Sequence, residues 1–437
     1  MSLSLKITVD ATDYYLSNQE YISITGNNYH FPFVTKSPKL SMKAVKGGFI
    51  QIEVGNITIE NAPNDSNHPF SGSRFTDLIS TPQNYPFVLN FGESNYDFLT
   101  GVLTLSSFNQ NQLFFTLDQV EYDFKLASTV TDKDSNTVVN PFSFGVVTHG
   151  TPVVQKSGTT FANPGLGTSG VTIYENGVAM TISGNDGTTI TVSSYSGGEV
   201  SISGTSDNGT TLEDFFDYVA NTIGIDTTTA DTTRATNASS LTFSAYENSR
   251  RQLLTFAGEV AEAHNHQFII RIDENDVAYP TTLFLIDRDN SSTATALDEY
   301  DVLSFSIDQA LPLEGVSATY EVTSPANGLL QRKRQNLNSS ANAIGRDIKV
   351  SAFADTTAQR AGIEALLDSV RDIEKKPLVS FSVAGIQEDY KHGDRFTFNR
   401  YFEFLTVDIL ARSINYNFDT ETTTVTGEAD LTAYTQS

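Results

Sequence analysis

The chain has 437 residues and carries 27 Lys plus Arg against 52 Asp plus Glu, a formal net charge of −25. That length suits two to four domains. The acidic balance argues against a general nucleic-acid binder, whose affinity comes from clustered cations meeting phosphates. The absence of cysteine excludes disulfides and thiolate metal sites.

From the N-terminus, Met1 to Leu16 alternates apolar and polar residues. It lacks the apolar stretch of a signal peptide, so a strand is expected there, in a soluble protein made without Sec export. No apolar run approaches the ~20 residues that a membrane span needs. Strand signals follow at Phe49 to Val54 and Asn56 to Glu60, around Gly55. Gly101 to Leu105 and Leu113 to Leu117 form a second pair, and the polar Asn109-Gln110-Asn111-Gln112 between them reads as a hairpin turn. A short helix is expected over Arg74 to Ile79, ahead of a Pro86-led strand ending at Phe91.

Between Gly150 and Gly209 the composition shifts to Gly, Ser and Thr in short alternating runs, such as Val171 to Tyr174, Met180 to Ile182 and Ile190 to Val192. Few large apolar groups are present, so a thin β-module packed on something else is expected. Beyond it lie the three convincing helices. The first spans Leu212 to Thr222 behind a capping-box-like Thr211 and Asp214, with Phe215, Phe216, Val219 and Ile223 at helical spacing. The polar, Thr-rich Thr227 to Ser240 is expected as a loop. The second helix is placed at Arg250 to Ala263 with Ser249 as N-cap and Gln252 at N3; Leu253, Leu254, Phe256, Ala257, Val260 and Ala261 make its apolar face. The third is placed at Thr357 to Ile373, with Ile363, Leu366, Leu367 and Val370 inward, and Pro377 starts a strand after it. The dense basic run Gln331-Arg332-Lys333-Arg334-Gln335 reads as a solvated loop.

Several stretches imitate catalytic or ligand motifs. Gly165-Leu-Gly167-Thr-Ser-Gly170 spells a dinucleotide fingerprint, but Asn163-Pro164 precedes it and a strand follows, where the chemistry needs a strand before and a helix after. Asp132-Lys-Asp134-Ser-Asn136 begins like a calcium loop, yet Thr137 and Ser143 stand where Gly and Glu are required. Phe142-Ser143-Phe144-Gly145 resembles a nucleophile elbow with Pro141 in place of the first Gly, and Ser194-Tyr-Ser196-Gly has no helix after it. The most suggestive stretch is Ala263-His264-Asn265-His266 followed by Asp273-Glu274-Asn275-Asp276. A zinc pair on a helix needs histidines four apart, and these are two apart. The strand Phe268 to Ile272 separates them from the acids by ~15 Å at about 3.3 Å per residue. Histidine also suits the C-terminal end of a helix dipole. The stretch reads as a joint between helix and hairpin, and replacing both histidines by Gln is expected to leave folding and assembly nearly intact. No catalytic, cofactor-binding or metal-ligating residue is assigned, and no cofactor is expected.

The chain also contains a faint repeat. The helix candidate at Arg74, the Pro86-led strand, Leu99 to Leu105, a polar turn and Leu113 to Leu117 match in order the third helix, the Pro377-led strand, Leu405 to Ile414, the turn Asp419 to Thr423 and Thr424 to Glu428. Two modules of one kind are expected, about Leu3 to Leu126 and about Asp301 to Leu431.

Arg251 to Val277, an Ala- and Leu-rich helix leading into a hairpin with an acidic turn, resembles the middle region of tailed-bacteriophage baseplate and tail-tip hub proteins. Tyr390-Lys-His-Gly393-Asp394-Arg395-Phe396 is similar to the strand entry of that family, and Asp408 to Gly427 to its closing hairpin. The resemblance covers roughly Leu212 to Leu431. It departs from the family in lacking Gly at the turn Asp273 to Asp276, and the Gly/Ser-rich module has no place in the family pattern. The resemblance implies a mainly β chain with a few helices. An N-terminal tube-like β-barrel module is expected at 1–150, a Gly/Ser/Thr-rich β-module at 151–209, a mixed α/β middle at 210–300 and a C-terminal tube-like barrel at 301–437. It further implies a non-enzymatic virion protein of the phage tail tip, a homotrimer joining a hexameric tail tube or distal tail protein to a trimeric spike or tip protein. Such a hub encloses the channel through which DNA is ejected, without specific DNA binding and without membrane insertion. The residues alone leave two other classes open: a carbohydrate-binding or adhesive β-protein such as a tail fibre or lectin, served by 18 Tyr and 29 Phe, and a hydrolase. For a conduit of total charge 3 × −25 = −75, an acidic or neutral inner wall is expected, with Arg332 to Arg334 facing protein or outer solvent.

Overall fold

A computed structural model describes the backbone of residues 3–22, 28–44, 49–81, 83–91, 97–119, 123–225, 241–272, 281–288, 293–308, 315–323, 330–338, 345–353, 376–387, 389–401 and 404–433. The chain is mainly β, with three α-helices among the described residues. The helix expected at Thr357 to Ile373, the loop Thr227 to Ser240 and the acidic turn Asp273 to Asp276 lie outside the described residues.

The N-terminal part begins with β1 (Leu3–Val9), β2 (Thr12–Ser17) and β3 (Val34–Lys36). A hairpin of β4 (Lys39–Ala44) and β5 (Phe49–Val54) follows, then β6 (Ile57–Glu60), helix α1 (Ser73–Ser80), β7 (Asn84–Phe91), β8 (Asp97–Phe108) and β9 (Gln112–Gln119). Seven of these make one sheet in the order β2-β1-β7-β8-β9-β6-β3, antiparallel throughout. Alternation drives it: Leu3, Leu5, Ile7 and Val9 of β1 all point into the core. The two edges of the sheet are joined by the segment before β3. Phe31 N–H donates to Tyr15 O (3.0 Å), Ser17 N–H donates to Phe31 O (2.8 Å), and Glu60 N–H donates to Phe33 O (2.7 Å). The sheet therefore nearly closes on itself, which covers most of its open edges.

Residues 146–205 form two four-stranded sheets. Their core is small, built on Val147, Phe161, Leu166, Ile173, Ile190, Val192, Val200 and Ile202, as the Gly/Ser/Thr composition implies. After this module comes α2 (Leu212–Ile223), which starts as its sequence dictates. Thr211 Oγ1 accepts from Asp214 N–H at 3.1 Å, the Asp214 carboxylate accepts from Thr211 N–H at 2.9 Å, and Gly224 closes the helix in the left-handed conformation. Helix α3 (Leu253–Ala263) starts later than expected. Its N-cap is Gln252, not Ser249, and no side chain caps it. The backbone ahead of it is engaged elsewhere: Leu126 N–H donates to Arg251 O (3.0 Å) and Leu253 N–H donates to Phe124 O (2.8 Å). This strand-like pairing holds Arg250 to Gln252 out of the helix. Leu253, Phe256, Ala257, Val260 and Ala261 are buried, whereas Leu254 sits at the margin of the core. The hairpin of β10 (His266–Ile272) and β11 (Thr281–Asp287) comes next.

The C-terminal part contains β12 (Thr295–Leu297), β13 (Val302–Asp308), β14 (Gly315–Thr323), β15 (Leu330–Asn338) and β16 (Gly345–Phe353). Then follow β17 (Leu378–Ala384), β18 (Arg395–Tyr401), β19 (Phe404–Asn417) and β20 (Thr422–Ala433). Strands β14 to β16 make a separate sheet in the order β15-β14-β16. The basic run Arg332 to Arg334, expected in a loop, lies within β15. One edge of it pairs with β14 at every residue from Leu330 to Asn338, which is what makes the run a strand.

A ten-stranded sheet unites the chain. Its path is β11-β10-β5-β4-β19-β20-β17-β13, with β18 paired to β19 and β12 to β18. The N-terminal hairpin β4–β5 thus leaves its own barrel and sits between the β10–β11 hairpin and the C-terminal β19.

The two large sheets share one strand order. The N-terminal run β1-β7-β8-β9-β6-β3 corresponds, element by element in chain order, to β12-β18-β19-β20-β17-β13. All the neighbouring pairs are antiparallel in both, except that β12 lies parallel to β18 where β1 is antiparallel to β7. Even the irregularities coincide. A bulge at Ser106 follows the last β7–β8 pair, Asn84↔Thr104, and a bulge at Arg412 follows the last β18–β19 pair, Arg395↔Leu410. The repeat read from sequence is offset by one strand. It aligned the Pro377-led strand β17 with β7, but in sheet order β17 corresponds to β6 and the partner of β7 is β18. Proline-led strands and polar turns recur at many strand entries, so local order alone does not fix which neighbours pair.

Candidate functional site

The region that invites a functional reading is the joint between α3 and β10. Helix α3 ends at His264, whose backbone N–H donates to Ala261 O and Val260 O. Asn265 turns the chain with φ +59°, a conformation that asparagine tolerates, and Arg288 N–H donates to Asn265 O at 3.0 Å. His266 begins β10 opposite Asp287 of β11.

Both imidazoles are committed to the backbone. His264 Nδ1–H donates to Val260 O (2.8 Å) and His266 Nδ1–H to His264 O (2.6 Å), since a carbonyl can only accept. The His264 ring lies 5.2 Å from the Phe243 ring, and His266 is 1% exposed. Burial pushes the His264 imidazole down to about 4, against the lesser upward pull of the Val260 carbonyl, so it is neutral at pH 7. The pair works as a C-terminal cap and a strand anchor. The rings are packed and hydrogen-bonded, so a stability loss in the double Gln variant is the outcome that these contacts lead one to expect, and an intact fold is what the spacing alone led one to expect. Among the described residues no group of three or more His, Asp or Glu is placed to hold a metal ion.

The β10–β11 hairpin is covered on both faces. Phe268, Leu283 and Leu285 pack with α2 and α3, where the Phe216 and Phe268 rings are 5.1 Å apart. Ile269, Phe284 and Ile286 point the other way, into the core shared with the N-terminal barrel. At the base of the hairpin stands a cluster that no sequence motif signals. Arg288 and Arg412 both pair with Glu428 of β20, and the three side chains are 5%, 14% and 9% exposed. Arg412 is the residue that the β19 bulge adds to the strand, and a bulge re-aims its side chain. No local motif announces this meeting, because Arg288 follows β11 whereas Arg412 and Glu428 lie in β19 and β20, at least 412 − 288 = 124 positions further along the chain.

The remaining motif-like stretches are turns. Asn163 Oδ1 accepts from Gly165 and Leu166 N–H (3.1 and 2.8 Å), and Gly165 and Gly170 have φ of +90° and +72°. The Asp132 carboxylate accepts from the N–H groups of Asp134 and Asn136 (2.9 and 2.8 Å) and so closes a hairpin. Ser143 is fully buried and donates to Pro164 O at 2.8 Å, and Ser196 Oγ donates to Glu175 at 2.6 Å. Each hydroxyl has a local structural partner.

No family model matches the sequence, and the comparison with curated proteins finds no match. Among solved structures, the chain is similar to the 43 kDa tail protein of prophage MuSo2 from Shewanella oneidensis, at 10% identity and TM-score 0.47, covering 98% of each chain. It is similar to a tail protein from Neisseria meningitidis at 9% identity and TM-score 0.47, covering 98% of this chain and 96% of that one. It is also similar to prophage tail protein gp18 from Listeria monocytogenes, at 11% identity and TM-score 0.42, covering 97% and 94%.

Proposed function

We propose that this chain is a structural protein of a phage-type tail, the hub at which a sixfold tail tube or distal tail protein meets a threefold spike or tip. The observation that carries the reading is the shared strand order of the two large sheets. One chain holds two sheets of one topology, so three chains supply six, which is the number needed to continue a hexameric tube from a trimer. The sequence resemblance of Leu212 to Leu431 to the hub family points the same way.

In this reading the N-terminal barrel and the C-terminal sheet alternate around a ring, and the β4–β5 hairpin fixes their spacing within each chain. The channel wall is acidic or neutral: each Lys or Arg facing phosphate adds affinity and drag, and the chain carries a large excess of acids. The role is mechanical and not enzymatic. The joint at His264 and His266 serves it as a rigid corner.

Electron microscopy of the purified chain tests the proposal. Threefold rings with an axial hole are expected. A compact single-chain particle, an elongated fibre, or measurable duplex-DNA binding at physiological salt counts against it.

A further inference from the structure

We propose that the outer edge of β13 is a seam to which a second copy of this chain adds a strand, and that the strand added is β15. The inference rests on the hub reading and names the contact between its protomers.

The two matching sheets differ at one place. In the N-terminal sheet, β3 at the end of the order is tied to β2 by the Phe31 to Phe33 segment, and the barrel nearly closes. In the C-terminal sheet the corresponding strand is β13. Among the described strands it pairs with β17 alone, and no counterpart of β2 lies beside it.

The open edge is apolar. Tyr300 just ahead of β13 is 86% exposed, Leu303 at its bulge is 60% exposed and Leu378 on the adjoining β17 is 42% exposed. Val302 and Ile307 meanwhile pack on the C-terminal core. From Val302 to Ile307 the strand has no charge and no proline. Exposed edges are normally blunted by such residues, so a bare one with large apolar groups marks a surface that is covered in the assembly.

The charges around the seam indicate its occupant. Asp298, Glu299 and Asp301 precede β13, and Asp308 ends it. The one place in the chain with three consecutive basic residues is Arg332-Lys333-Arg334, and it lies in β15. That strand is the outer member of its three-stranded sheet and, among the described strands, pairs only with β14. The two edges match in length, with seven residues in β13 and nine in β15. They belong to different sheets and do not pair within the chain. Pairing between copies is therefore head-to-tail, the kind of contact that closes into a ring when the rotation permits.

The chain has no cysteine, so a disulfide reports only on engineered positions. The full-length Leu303→Cys, Lys333→Cys double variant is oxidised mildly and run without reductant. A covalent ladder ending at trimer is expected, with neither single variant cross-linking and a mixture of the two singles giving a covalent dimer. Absence of cross-linking in the double variant overturns the proposal, as does a dimer from Leu303→Cys alone, which would mean that β13 meets β13. Sedimentation of the Tyr300→Lys, Leu303→Lys variant is the second arm. With an unchanged melting temperature, it should require about tenfold or more higher concentration to associate than the parent chain. If the parent chain is trimeric and this variant associates equally well, the seam is wrong and the hub reading stands. A parent chain that is monomeric throughout sinks both.

Discussion

Arg288 Nη2 lies 3.4 Å from Glu428 Oε1, and the other oxygen of that carboxylate takes Arg412. The pairing ties the base of the β10–β11 hairpin to β20, where two parts of the chain far apart in sequence share one sheet. A buried Arg288 and a largely covered Arg412 converge on one buried anion. Glu428→Ala leaves both arginines without that charge, and removing one partner of a buried ion pair typically costs about 3–5 kcal/mol. Denaturant unfolding should report a loss of that order. A loss of less than about 0.5 kcal/mol, the usual surface effect, means that the triad does not hold the sheet.

Histidines with lowered pKa values make stability depend on pH. His264 has its imidazole held at about 4, and burial also lowers His30 and His68. A histidine with a lowered pKa stays neutral in the fold while the unfolded chain takes up a proton. Its contribution is complete above about pH 6.5 and is lost as pH falls from there toward 4. Between pH 7 and pH 4, His264→Gln should lose about 1–3 kcal/mol less stability than the parent chain. Melting temperatures of the two proteins across that range decide it, and parallel curves refute it.

Adjacent leucines on α3 should respond differently. Phe256 is fully buried in the aromatic cluster with Phe215 and Phe142, and Leu253 is equally enclosed. Leu254 lies only partly covered at the rim. Phe256→Ala should cost about 3–5 kcal/mol and Leu253→Ala about 2–5 kcal/mol, with Leu254→Ala well below either. Equal losses for the two leucines would contradict the packing of this helix.

Helix α2 offers a local test. Thr211 and Asp214 cap each other's backbone N–H groups reciprocally. Thr211→Ala should cost about 1 kcal/mol, and Thr211→Ser should recover most of it, because serine keeps the accepting oxygen. A cost that serine does not recover assigns the effect to the lost methyl group instead.

Much of this protein is written locally. Alternation at Leu3 to Val9 and at Leu113 to Leu117 specifies strands, because burial of one face repeats every second residue. Thr211, Asp214 and Gly224 fix both ends of α2, because caps act within one turn. The corner at His264 to His266 was also readable, since the helical spacing ends there and strand alternation begins. Tertiary structure decided what local rules cannot reach. Helix α3 loses its first turn because Phe124 and Leu126 claim the backbone ahead of it. The Arg332 to Arg334 run becomes a strand because β14 supplies a partner for every residue from Leu330 to Asn338. Glu428 meets Arg288 and Arg412, and β6 and not β7 proves to be the counterpart of β17, through strand pairings between distant residues. Backbone hydrogen bonds between strands carry no side-chain identity. A sequence therefore announces that a strand exists, and only the closed packing of the whole chain selects its neighbour.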